Sequence, residues 1–174
     1  VLALIRDITE RKEAEKAIRE SERRLSQALE LAKMAHWELD LETQMFIFND
    51  HYYKTFHNTT AEEMGGYQMS VEDFKKRFIL PENRPLVDES IQAARQATDP
   101  DYQIEFESLN LTVDGEKVWT SVWETIEKDA DGRTVKILGV NQDITERKEA
   151  ERERERFTTR LDTAAQISEQ VGSI

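Results

Sequence analysis

Cysteine is missing from all 174 residues. That excludes disulfides, thiolate metal sites and cysteine nucleophiles, and it suits a reducing compartment. No apolar run approaches the roughly 20 residues needed to span a bilayer, and no segment resembles a secretory leader. A cytoplasmic fragment without membrane contact of its own is expected. The chain also lacks a GxxxxGK[ST] phosphate loop, an HExxH zinc helix and a GxSxG nucleophile turn. Its many carboxylates read as a solvated acidic surface, so no independent enzymatic activity is expected.

The net charge of -12 falls entirely between His36 and Asp143, because acidic and basic residues balance in the flanks. An acidic middle repels phosphate backbones, which argues against a nucleic-acid partner. Interleaved charges in the flanks suit solvated helices.

One nonapeptide, DITERKEAE, occurs twice, at Asp7 to Glu15 and at Asp143 to Glu151. The match extends outward: Val1-Leu2-Ala3-Leu4 lies over Ile137-Leu138-Gly139-Val140, and Arg24-Leu25 over Arg160-Leu161. A module boundary is therefore seen twice. In each copy DIT reads as closing a strand, with Asp or Thr capping the helix that follows; Asp143 and Glu146 have capping-box spacing. The chain reads as a piece of a longer protein.

Between Glu10 and Ala35 there is no Gly or Pro, and Ala14, Ile18, Ser21, Leu25, Ala28 and Ala32 form a heptad seam. It resumes after the second copy through Ala150, Phe157, Leu161, Ala164, Ser168 and Val171. Two uses fit such a seam: coiled-coil-like pairing into a homodimer, or packing of one stripe on the chain's own domain.

The middle alternates differently. Trp37 to Leu41 and Met45 to Phe48 read as two strands. Short helices follow over Asp50 to Phe56, Ala61 to Met64 and Val71 to Phe78, and a longer one after Leu80 carries Pro85 in its first turn. Tyr102 to Leu111, Lys117 to Ile126 and Thr134 to Asp143 read as three more strands, with Asp114-Gly115 and Asp131-Gly132 as hairpin signals.

With that element order, HWELDLETQMFIFND, ENRPLV, EFESLNLTVDGEKVW and GVNQDITERK resemble the PAS domain and its C-terminal PAC motif, over His36 to Thr145. The resemblance implies an α+β fold: a five-stranded antiparallel sheet of order 2-1-5-4-3 with helices on one face, flanked by long N- and C-terminal linker helices. It implies the following division: 1–9, the tail of a preceding PAS-like module; 10–35, a coiled-coil-like linker helix; 36–145, the PAS domain; 146–174, an exit helix leading to another module. It also implies a role. Such modules sit in tandem in bacterial two-component sensors, often histidine kinases, and relay a ligand- or partner-dependent change to adjacent sensor and output domains. A ligand-free dimerisation and spacer module is the alternative.

The cofactor is left unknown. Light-sensing LOV domains resemble PAS domains with a reactive cysteine, which this chain lacks, so a flavin-thiol adduct is excluded. Haem needs an axial ligand, and His36, His51 and His57 all lie off the long helix where the family's haem sensors keep theirs; exposed or capping roles are expected, and no metal site. Candidate ligand contacts are Phe46, Phe48, Tyr52, Phe56 and Trp119, although aromatics also simply build small cores. Asn141, placed near a flavin-contacting amide of LOV domains, is either a pocket amide or a structural one. Asp143, Ile144 and Thr145 are the expected relay joint.

Overall fold

The computed structural model describes the backbone of residues 2–172 and the side chains of residues 11–161. Its first element, α1 (Leu2–Leu31), is one unbroken helix. The expected strand end before Glu10 is thereby corrected, apart from Val1, which lies outside the described residues. A strand needs a neighbour for its backbone donors and acceptors. None of the strands described pairs with this segment, and its Leu, Ala and Arg residues are good helix formers.

The sheet comprises β1 (Met34–Asp40), β2 (Met45–Ile47), β3 (Gln68–Ser70), β4 (Gln103–Leu111), β5 (Lys117–Lys128) and β6 (Thr134–Asp143), in the order β3-β2-β1-β6-β5-β4. All neighbours are antiparallel. The expected five strands keep their expected order, and the count is corrected to six. The added strand, β3, pairs with β2 and sets buried Met69 opposite Phe46. Three residues are too few to show an alternating period.

Local chemistry fixes the helices inserted after β2. Asn49 caps α2 (Asp50–His57) by accepting from the Tyr52 amide at 2.7 Å, and Asn58 ends it in a left-handed conformation at φ 52°. Thr60 and Glu63 form a full capping box on α3 (Ala61–Met64). Ser70 caps α4 (Val71–Phe78) through the Asp73 amide at 3.1 Å. A 3-10 turn, Pro81–Asn83, leads into α5 (Arg84–Gln96), whose early Pro85 costs no helical hydrogen bond.

The helices cover one face of the sheet. Tyr52, Tyr53 and Phe56 of α2 and Phe74 and Phe78 of α4 close over Leu39, Phe46 and Ile137, all buried. On α5, Ala94 is fully buried, so that this helix lies close over the sheet.

The last helix, α6 (Thr145–Gly172), begins at the repeated nonapeptide. Along α1 and α6 the seam residues Ile18, Leu25, Phe157 and Leu161 are all more than half exposed in the single chain. Packing of the stripe on its own domain is therefore not what these residues do here. The side chains of Ala164, Ser168 and Val171 lie outside those described. No helix among the described residues is long and apolar enough to cross a membrane.

Candidate functional site: a sheet-face pocket and a helix joint

A cavity of about 60 Å³ lies between the inner face of the sheet and α4 and α5, walled by Trp37, Phe46, Tyr52, Phe74, Val122 and Ile137. At roughly 10 to 15 Å³ per water on this measure, it admits a compact molecule of a few heavy atoms. Its floor depends on a missing side chain. A Cβ at Gly139 would stand 2.1 Å from the Trp37 ring, so glycine there lets the indole lie flat across β6.

From that position Trp37 Nε1 donates to Asn141 Oδ1 at 2.8 Å, and Asn141 Nδ2 donates to the Tyr52 hydroxyl at 3.3 Å. All three residues are buried, and burial pushes the Tyr52 hydroxyl far above its usual range. Two strands and one helix thus meet on one amide.

Of the expected ligand contacts, Phe46, Tyr52 and Asn141 line the cavity. Phe48 and Phe56 stand behind Tyr52, with ring centroids 4.4 and 5.0 Å from its own. They support the wall.

Trp119 is displaced from the expected group. Alternation along β5 turns Val122, Glu124 and Ile126 toward the helices, and Trp119 and Trp123 toward the opposite face. There the Lys148 ammonium and the Arg152 guanidinium of α6 sit 5.5 and 5.6 Å from the Trp119 ring centre.

The histidines also separate. His36 is exposed, and His51 Nε2 is 2.9 Å from the Met34 carbonyl. His57, expected to be exposed or capping, is fully buried. Its Nδ1 donates to the Leu111 carbonyl at 2.9 Å, its ring stacks 3.7 Å from that of Phe78, and Nε2 has no partner. Desolvation lowers its pKa to about 4, so the ring is neutral near pH 7. No group of His, Asp and Glu among the described residues is arranged to hold a metal ion.

Glu124 escaped the sequence reading. It is only 6% exposed on the inner face of β5, and Ser90 of α5 donates to its Oε2 at 2.5 Å. Burial raises its pKa, against the opposing effect of the Ser90 hydroxyl. The signal was in the sequence: an acidic residue in the otherwise inward row of Val118, Thr120, Val122 and Ile126.

Two residues beyond Asn141, β6 reaches the joint. Asp143 Oδ1 accepts from the Thr145 amide at 2.9 Å and so caps α6, while Thr145 Oγ1 accepts from the Trp119 amide at 3.0 Å. Buried Ile144 donates its amide to the Trp119 carbonyl at 2.9 Å. The DIT triplet thereby holds α6 to β5.

Lys33, unforeseen, holds it to α1. In a left-handed conformation at φ 51°, its carbonyl accepts from the Asp143 amide at 3.0 Å and its ammonium meets Glu146 Oε1 at 2.9 Å. The Glu146 hydrogen bond and charge raise the Lys33 pKa, and Lys33 in turn lowers that of Glu146. Glu107 of β4 adds bonds to Arg147, at 2.9 Å, and to Lys148.

No protein-family model and no curated protein matches the sequence. Solved structures do. A sensory box histidine kinase/response regulator from Burkholderia thailandensis matches with TM-score 0.61 at 19% identity, over 80% of this chain and 98% of that one. A PAS domain from Colwellia psychrerythraea gives 0.52 at 19% over 71% and 97%. The N-terminal domain of a diguanylate cyclase with PAS/PAC sensor from Marinobacter aquaeolei gives 0.50 at 20% over 64% and 95%. At such identities the likeness speaks for architecture, and with the sheet order and inserted helices described above it establishes that this chain has the PAS fold.

Proposed function

We propose that the chain is a sensing and relay module of a multidomain bacterial signalling protein, in which occupancy of the sheet-face pocket changes how α1 and α6 are held together. One observation carries this reading. Asn141 binds pocket residues Trp37 and Tyr52, and two residues along the same strand Asp143 binds Lys33 and caps α6.

A ligand matters to output only if it favours one of two arrangements. The amide network offers a difference to exploit, because a pocket ligand that reorients Asn141 shifts a strand whose end is bonded to both helices. The exposed seam residues support pairing of α1 and α6 with those of a second copy. The flanks then join adjacent sensor and output domains, the output being of the histidine kinase or diguanylate cyclase kind named for the structural neighbours. A cytoplasmic location goes with this role, and catalysis is assigned to the output domain.

The small cavity favours a second reading, a spacer and dimerisation module that binds nothing. Native mass spectrometry of the purified chain, with an absorption spectrum of the same sample, separates the two. A retained small molecule supports the sensor. An empty dimer supports the spacer, and an empty monomer contradicts pairing through the helices.

A further inference from the structure

Glu124 is a buried carboxylate without a cation. Its partner is the neutral Ser90 hydroxyl, and no Lys, Arg or His among the described residues lies within ion-pair distance of it. Elsewhere the buried charge is matched: Lys75, 8% exposed, is held by Glu72 and Asp88, both at 2.7 Å. A carboxylate taken out of water without a counter-charge is costly, and such a group in a pocket marks a place where a ligand completes the site.

The wall opposite supplies the rest. Gly139 faces Glu124 in the β5–β6 register and Trp37 in the β1–β6 register. The indole lying over Gly139 therefore stands on the same face of the sheet as the carboxylate, across β6 from it, with the Phe46 ring centre 5.3 Å from its own. Carboxylate and aromatic face together attract a cation and repel an anion. The acidic balance of the chain, -12 overall, favours cation capture as well.

Resting on the sensor reading above, we infer that the pocket takes a compact organic cation, an alkyl- or arylmethyl-ammonium, with Glu124 as its counter-charge and the Trp37 ring as its aromatic wall. The cavity of about 60 Å³ limits the guest to a few heavy atoms unless α5 shifts outward.

The test uses the full chain at neutral pH, with trimethylammonium, butylammonium and benzylammonium chlorides set against butanol, benzyl alcohol and sodium butyrate. Binding is read from the melting temperature and from the Trp37 indole resonance. At least one ammonium probe is expected to raise the melting temperature with concentration and move the indole signal, while its alcohol counterpart and butyrate do not. Glu124→Gln is expected to weaken ammonium binding at least tenfold, and Glu124→Asp, which keeps the charge, to retain the preference at lower affinity. Equal binding to Glu124→Gln, equal binding of the alcohols, or silence from all three ammonium probes overturns the inference. If Glu124→Gln does not fold, the ammonium-over-alcohol preference of the unaltered chain decides alone. Alcohol or butyrate binding at Trp37 without ammonium preference sinks the cation and leaves the sensor standing; no probe binding, with an empty chain by native mass spectrometry, sinks both.

Discussion

The Lys33 ammonium lies 2.9 Å from the Glu146 carboxylate, 113 residues further along the chain, and ties the end of α1 to the first turn of α6. Both side chains are more than half exposed, so the pair adds little stability. Its effect is geometric. Lys33→Glu is expected to leave the melting temperature nearly unchanged yet broaden the distance between spin labels on α1 and α6, and Glu146→Lys in the same chain is expected to restore it. Unchanged distances in the single variant would remove Lys33 from the joint.

Gly139→Ala tests the pocket floor. The new methyl meets the Trp37 ring, so the indole must leave its bond to Asn141. A loss of about 1 to 3 kcal/mol in urea unfolding is expected, as for overpacked cores, with a change in tryptophan emission. Wild-type stability and emission would show that the indole is not fixed over β6.

His57 predicts a pH dependence. Its folded pKa of about 4 lies below its ordinary 6.5, so its contribution is fully present above pH 6.5 and is lost as pH falls toward 4. The 2.5-unit difference corresponds to about 3 kcal/mol. Urea unfolding of the wild type and of His57→Phe across that range is expected to show the wild type losing stability relative to the variant as pH falls, because only the wild type must charge a buried ring. Parallel curves would contradict the buried neutral imidazole.

Glu124 works in the opposite sense. Its folded pKa is raised, so folding favours the protonated form over the ionised one. Stability from this group is complete below its ordinary value and declines as pH rises through it toward the folded value. Glu124→Gln is therefore expected to melt higher than the wild type at pH 7 and alike near pH 4. A variant less stable at pH 7 would mean that the carboxylate is stabilising as it stands.

Much of this was legible in the sequence because it is written in short-range chemistry. The short helices α2, α3 and α4 and the start of α6 at the repeated DIT rest on residues within a few positions of one another. What escaped depends on distance along the chain or on context. Period two along β5 separates Trp119 from Val122, yet cannot say which face meets the helices. His57 and Lys33 acquire their roles from Leu111, Phe78 and Glu146, far away in sequence. Leu2 to Thr9 took helical form, against the strand read from the repeat, because a strand signal means nothing without a partner strand.

In the proposed relay the pocket and the joint are coupled through β6, and hydrogen exchange measures this directly. Asn141→Ala leaves the Trp37 indole and Tyr52 hydroxyl without their amide partner, and the hydrogen bonds it removes are to β1 and α2 rather than to α6. Faster exchange is expected of the Ile144, Thr145 and Lys148 amides, whose bonds hold the joint, with the Asp114-Gly115 hairpin unaffected. Faster exchange confined to the pocket, with those three amides unchanged, would contradict it.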